Sequence, residues 1–140
     1  MADYASAVQA GIDAAKESRR ATTEIRAVFE EFAKGVAEGT GGKIIVQKES
    51  RTPPGSTLRE SRSLRELEPY QAIVASDPSS KKKSTHELAK WRPSDYGYPV
   101  CVEWDYEEHR CEDKEALSQC LADLLKAPSV GEIFLTLMAE

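Results

Sequence analysis

Cysteine is scarce in this chain, and long apolar runs are missing. Three cysteines among 140 residues cannot all pair within one chain, which favours free thiols in a reducing compartment. The first residues have neither the basic nor the apolar region of a secretory signal. A mean hydropathy of −0.52 without a long apolar run argues against a membrane-spanning helix. We therefore expect a cytoplasmic protein without a membrane partner.

The motifs of common catalytic and cofactor sites are also missing. The sequence has no G-x-S-x-G and no C-x-x-C, and its glycines at 39–42 precede a strand, unlike those of a phosphate-binding loop. We therefore expect no cofactor and no enzyme activity. A small metal-dependent enzyme is an open alternative, because Cys101, His109 and Cys111 would share one face of two neighbouring strands.

A proline-free stretch rich in Ala, Glu, Arg and Lys predicts a long amphipathic helix over residues 1–39, with Asp3 as its N-cap. Its stripe repeats every seven residues: Val8, Ala15, Thr22, Phe29 and Val36, joined by Ile25 and Phe32. The stripe is thin at Gly11 and Ser18. Either the segment forms a helix pair, or its N-terminal part projects and joins a second copy in a homodimer.

Residues 43–111 predict a small antiparallel sheet. Its expected strands are 43–47, 70–75, 86–91 and 99–106, with a short returning strand at 109–111. We expect flexible loops at 49–68 and 77–85, and a turn at Glu107 and Glu108. Alternation in the fourth strand puts these side chains on one face: Val100, Val102, Trp104 and Tyr106.

Residues 113–139 predict two helices. Asp113 caps the first and Pro128 ends it, and a capping box from Ser129 to Glu132 starts the second. The order of elements predicts one α+β domain over residues 1–140. In it, the long N-terminal helix and the two C-terminal helices pack on one face of an antiparallel sheet of about four strands.

Negative charge is concentrated near the C-terminus. Residues 95–140 hold eleven acidic and three basic groups, a net charge of −8, within a chain of net charge −5. Because an acidic surface attracts basic partners, we expect a protein-binding protein of inhibitor or immunity type that blocks a basic nuclease or nucleic-acid-binding target. The expected partner-binding residues are Glu107, Glu108, Glu112, Arg92, Tyr96 and Tyr98.

Basic residues in the two loops support an alternative function. They are Arg51, Arg59, Arg62 and Arg65 in the first loop and Lys81, Lys82 and Lys83 in the second. Together they could bind the phosphates of a nucleic acid. Glutamates lie between the arginines, however, and no aromatic residue stands among them to stack on a base.

Overall fold

The computed structural model describes residues 2–52, 69–80 and 84–139. Its elements are α1 (Tyr4–Gly39), β1 (Ile45–Arg51), β2 (Tyr70–Ser76), β3 (Thr85–Ser94), β4 (Gly97–Trp104), β5 (Glu107–Cys111), α2 (Lys114–Lys126) and α3 (Pro128–Ala139). The five strands pair antiparallel in chain order. The predicted α+β class is confirmed, with five strands rather than about four, because residues 107–111 form a full edge strand.

Helix α1 is continuous over 36 residues. The Asp3 side chain caps it by accepting a hydrogen bond from the Ser6 backbone N–H at 3.2 Å, as the sequence predicted. The chain stays helical through Gly11 and Ser18, so the helix-pair alternative is wrong. Thr40 ends the helix, and Gly41 and Gly42 then turn the chain with positive φ angles of 63° and 80°.

The core lies between the three helices and one face of the sheet. In α1 only the later part of the stripe is buried, and Phe29 packs edge-on against Trp91 with ring centroids 5.4 Å apart. In α2 the buried residues are Leu117, Cys120, Leu121 and Leu124, at the spacing of one helix face. All of these belong to one apolar cluster with Val130 and Leu137 of α3.

The opposite face of the sheet carries polar pairs beside two apolar residues of β2, Ala72 and Val74, which are fully buried outside the main apolar cluster. Lys90 and Glu103, which are cross-strand partners, place Nζ and Oε2 3.6 Å apart. The Tyr70 hydroxyl donates to Glu87 at 2.7 Å on the same face. These polar pairs are typical of the outer face of an antiparallel sheet, whereas β2 is buried on both faces over residues 72–75.

Two details near the C-terminus differ from the sequence-based predictions. The turn after β4 consists of Asp105 and Tyr106 rather than Glu107 and Glu108, so β5 starts two residues earlier than expected. Helix α3 starts at Pro128, whose ring suits the first position of a helix. The Ser129 hydroxyl donates to the Asp105 carboxylate at 3.0 Å, so the predicted capping box is not the contact that Ser129 makes.

None of the helices in the described ranges contains a stretch that is long and apolar enough to cross a membrane.

Candidate protein-binding surface

The turn between β4 and β5 presents a tyrosine in an unusual backbone conformation. Asp105 and Tyr106 have φ angles of 51° and 66°, the left-handed region at both central positions of a two-residue hairpin turn. Such turns favour Asn-Gly, because a side chain in this region costs roughly 1–2 kcal/mol. Tyr106 is also fully exposed, at 105% of the reference area. A strained backbone therefore holds a large aromatic side chain in solvent.

The neighbouring residues fix this turn to the rest of the domain. Asp105 accepts the hydrogen bond from Ser129 at the start of α3. On the strands behind the turn, the rings of Trp104 and His109 stack with centroids 3.9 Å apart and planes 16° apart. Tyr106 is thus carried on an anchored hairpin rather than on a long loop, which lowers the entropy lost when a partner binds it.

Exposed carboxylates surround the hairpin. We define the hairpin surface as Asp105, Tyr106, Glu107 and Glu108, all of which are exposed. Glu108 has a basic neighbour, Arg92, at 3.9 Å. Glu107 lies 4.0 Å from the His109 ring. Pairing on such exposed groups contributes little energy, so a binding partner can exchange it for its own cations.

Of the other expected contact residues, Arg92 adjoins this surface through Glu108, whereas Glu112, Tyr96 and Tyr98 do not join it. Glu112 follows the far end of β5, about 17 Å along the strand from Glu107, and lies 2.9 Å from Arg110. Tyr96 is exposed at the turn between β3 and β4, which lies at the opposite end of β4, about 25 Å from the hairpin surface. The Tyr98 hydroxyl donates to Glu24 of α1 at 2.7 Å. Burial and this hydrogen bond raise the pKa of Tyr98 well above its usual value. Tyr98 therefore ties α1 to the sheet.

The sheet separates the three candidate metal ligands. Cys111 and His109 are cross-strand partners of Val100 and Val102, whose side chains face the core. Cys101 lies between those two valines and pairs with Arg110, so it faces the other side. Burial raises the pKa of both Cys101 and Cys111, which disfavours the thiolate form that binds metal. The described residues contain no group of three ligands suited to a metal ion.

Of the predicted nucleic-acid contacts, one can be placed. Arg51 ends β1, where its guanidinium donates to the Thr85 hydroxyl at 2.7 Å and lies 3.6 Å from Glu49. Arg59, Arg62, Arg65, Lys81, Lys82 and Lys83 lie outside the described residues. The nucleic-acid alternative therefore stays a prediction.

The sequence pattern does not indicate Tyr106 as a surface residue. Tyr106 follows Val100, Val102 and Trp104 at the same spacing of two residues. The alternation therefore predicted that its side chain faces the core. The available signal was Asp105, since aspartate tolerates the left-handed conformation and is common in two-residue turns.

No protein-family model, no curated protein and no solved structure matches this chain.

Proposed function

We propose that the protein is a non-enzymatic protein-binding protein that docks on a basic partner through its hairpin surface and blocks that partner. The role is that of an inhibitor or immunity-type protein acting on a nuclease or another nucleic-acid-binding protein. The observation that carries the proposal is Tyr106, a fully exposed aromatic residue in a left-handed turn flanked by carboxylates. Strained backbone outside glycine is concentrated at functional sites.

The chemistry of the surface fits a basic protein partner. Tyrosine supplies a large, stiff contact area and is enriched among the residues that dominate binding energy. Carboxylates around it steer a positively charged partner toward the surface and raise the association rate. A partner that binds nucleic acid has such a positive surface, and covering that surface would block its function.

A matched pair of charge variants tests the role of the carboxylates. The first reverses Glu107 and Glu108 to lysine, and the control reverses Glu31 and Glu38, which are exposed on α1. Both change the net charge by +4, so a partner held by overall charge would be lost from both. We expect a partner captured from cell extract by the wild type to be lost from the first variant only.

The captured partner provides the test of inhibition. Adding the wild-type protein in equal amount should abolish the partner's nucleic-acid cleavage or binding, and the first charge variant should leave it active. If both charge variants retain the partner, or if a retained partner keeps its full activity, the proposal is wrong.

Replacing Tyr106 tests the aromatic contact itself. Tyr106→Ala should weaken binding of the captured partner about 30-fold or more, because residues of this kind contribute 2 kcal/mol or more. Tyr106→Gly should weaken binding equally but raise the free energy of unfolding by up to about 1 kcal/mol, because glycine relieves the left-handed strain. The control is Tyr96→Ala, at the other end of β4. If only Tyr96→Ala weakens binding, the partner does not dock on the hairpin surface.

A further inference from the structure

The N-terminal half of α1 carries apolar side chains that the domain leaves uncovered. We call residues 4–20 the free half and residues 21–39 the packed half of α1. Every residue from 2 to 17 is exposed, and the first fully buried residue is Ile25. The free half is about 25 Å long. Its large apolar residues are Tyr4, Val8 and Ile12, which are 78%, 62% and 45% exposed.

Tyr4 and Val8 continue the stripe that the packed half buries, and Ile12 lies at its edge beside Gly11. The stripe over the whole helix alternates steps of four and three residues: Tyr4, Val8, Gly11, Ala15, Ser18, Thr22, Ile25, Phe29, Phe32 and Val36. This spacing is that of a coiled-coil seam. Its last four positions pack on the sheet, whereas its first positions face solvent. A helix that only needed to be soluble would carry polar residues there.

The charges of the free half indicate that a second copy covers it and that the two helices run in opposite directions. Residues 2–13 contain two acidic groups, Asp3 and Asp13, and no basic group. Residues 14–20 contain Lys16, Arg19 and Arg20 against a single acidic Glu17. Two copies side by side in opposite directions place the Asp3 end of each against the basic part of the other and oppose the helix dipoles, while Asp13 near the centre lies outside the stripe. A parallel pair would place like charges together.

We propose that the free half of α1 packs against the free half of a second copy as an antiparallel two-helix coiled coil. Centred near Asp13, this arrangement sets Val8 against Ser18 of the second copy and Gly11 against Ala15. Val8 then faces a small residue, and the backbones can approach closely at the centre because Gly11 and Ala15 are both small. Nothing else in the chain occupies this space, since the position of a Cβ on Gly11 has no neighbour within 4 Å. A contact between two helices of this length is small, so we expect a dissociation constant in the micromolar range.

Sedimentation equilibrium of the full chain over a concentration series tests the association. The wild type should change from monomer to dimer between about 1 and 500 µM, as that affinity requires. Val8→Glu puts a charge in the seam and should remain monomeric throughout. The control, Gln9→Glu, adds the same charge at the next exposed position outside the seam and should still form dimers. Glutamate favours helix more than valine does, so loss of helix would not explain a difference.

Two results would overturn the proposal: a wild type that stays monomeric over the whole series, or a Val8→Glu variant that forms dimers as the wild type does. The charge variant at Glu107 and Glu108 should form dimers normally. Failure of the function proposed above would therefore leave this result unchanged, and the reverse also holds.

Cysteine cross-linking tests the direction. In a Cys101→Ser background, Val8→Cys mixed with Ser18→Cys should form a disulfide-linked dimer under mild oxidation. Neither variant alone should do so, because in the antiparallel arrangement equal positions lie about 15 Å apart. Efficient cross-linking of each variant with itself would overturn the antiparallel arrangement.

Discussion

The two halves of α1 follow the same seven-residue pattern but have different surroundings. In the packed half, the pattern is filled by Ile25, Phe29, Phe32 and Val36, which are long enough to reach the sheet. In the free half, the same positions include Gly11, Ala15 and Ser18, which bury little apolar area. The periodicity therefore fixes the helix, while the size of the residues decides which half packs against the domain.

The boundary between the halves is a close contact between α1 and the turn after β3. Gly97 has a φ of 118°, and a Cβ at this position would lie 2.7 Å from the Ala21 Cβ. Three residues further along α1, Glu24 accepts the hydrogen bond from Tyr98. Beyond this point toward its N-terminus, α1 leaves the sheet. Small residues at the contact thus let the helix pass close to the turn.

Truncating one side chain in each half should give the largest contrast. Phe29→Ala should lower the free energy of unfolding by about 3–5 kcal/mol, because it removes a buried ring that packs on Phe32 and Trp91. Val8→Ala should change it by less than about 0.5 kcal/mol in dilute solution, because Val8 is exposed. Urea denaturation measures both changes at 1–2 µM protein, a concentration below the expected dissociation constant of the dimer. Equal effects would show that the free half is covered within one chain.

A substitution at the boundary should have an intermediate effect. Gly97→Ala should destabilise the fold by about 1–3 kcal/mol, because the new methyl group overlaps Ala21 and the positive φ disfavours alanine. Ala21→Gly should restore part of this loss in the double variant, since it removes the overlap but leaves the φ strain. Thermal unfolding of the four proteins gives the coupling energy. Additive effects would mean that α1 does not approach this turn closely.

The sequence predicted the helix and the class of fold because those depend on local patterns. Helix α1 with its cap at Asp3, and helix α2 with its cap at Asp113, followed from composition, spacing and capping chemistry. The alternation at 100–104 identified the core face of β4. Such features are encoded within a few neighbouring residues, so one sequence is enough to predict them.

The candidate site was predicted less well because it depends on where strands end and which faces meet. Tyr106 was expected inside, since the alternation shows no break before it. Cys101 was expected beside His109 and Cys111, but the register of β4 and β5 puts it on the other face. A shift of one residue in register reverses the face, and no local pattern in these strands fixes that register. The acidic residues of the hairpin surface were identified because charge is visible in the sequence.

The smallest expected effect concerns the hydrogen bond that holds the packed half in place. Tyr98→Phe should lower the free energy of unfolding by about 1 kcal/mol at pH 7, because it removes the bond to Glu24. The control is Tyr70→Phe, which removes the bond to Glu87 within the sheet. Hydrogen exchange near residues 21–24 should rise in the first variant and not in the second. Equal exchange in both would mean that Tyr98 does not hold α1.

The pH dependence of this contact has a defined sign. Burial, with the hydrogen bond to Glu24, raises the folded-state pKa of Tyr98 above the unfolded value near 10. The contribution of Tyr98 is therefore fully present below pH 10 and is lost as the pH rises beyond it. Burial, with the bond to Glu87, likewise raises the pKa of Tyr70, to about 12. Chemical denaturation between pH 8 and 11 should show each single variant losing less stability than the wild type, and the double variant losing least. If the wild type and the Tyr98→Phe, Tyr70→Phe double variant have parallel pH profiles, neither hydroxyl makes the hydrogen bond seen in the structure. In that case the packed half would not depend on a neutral Tyr98.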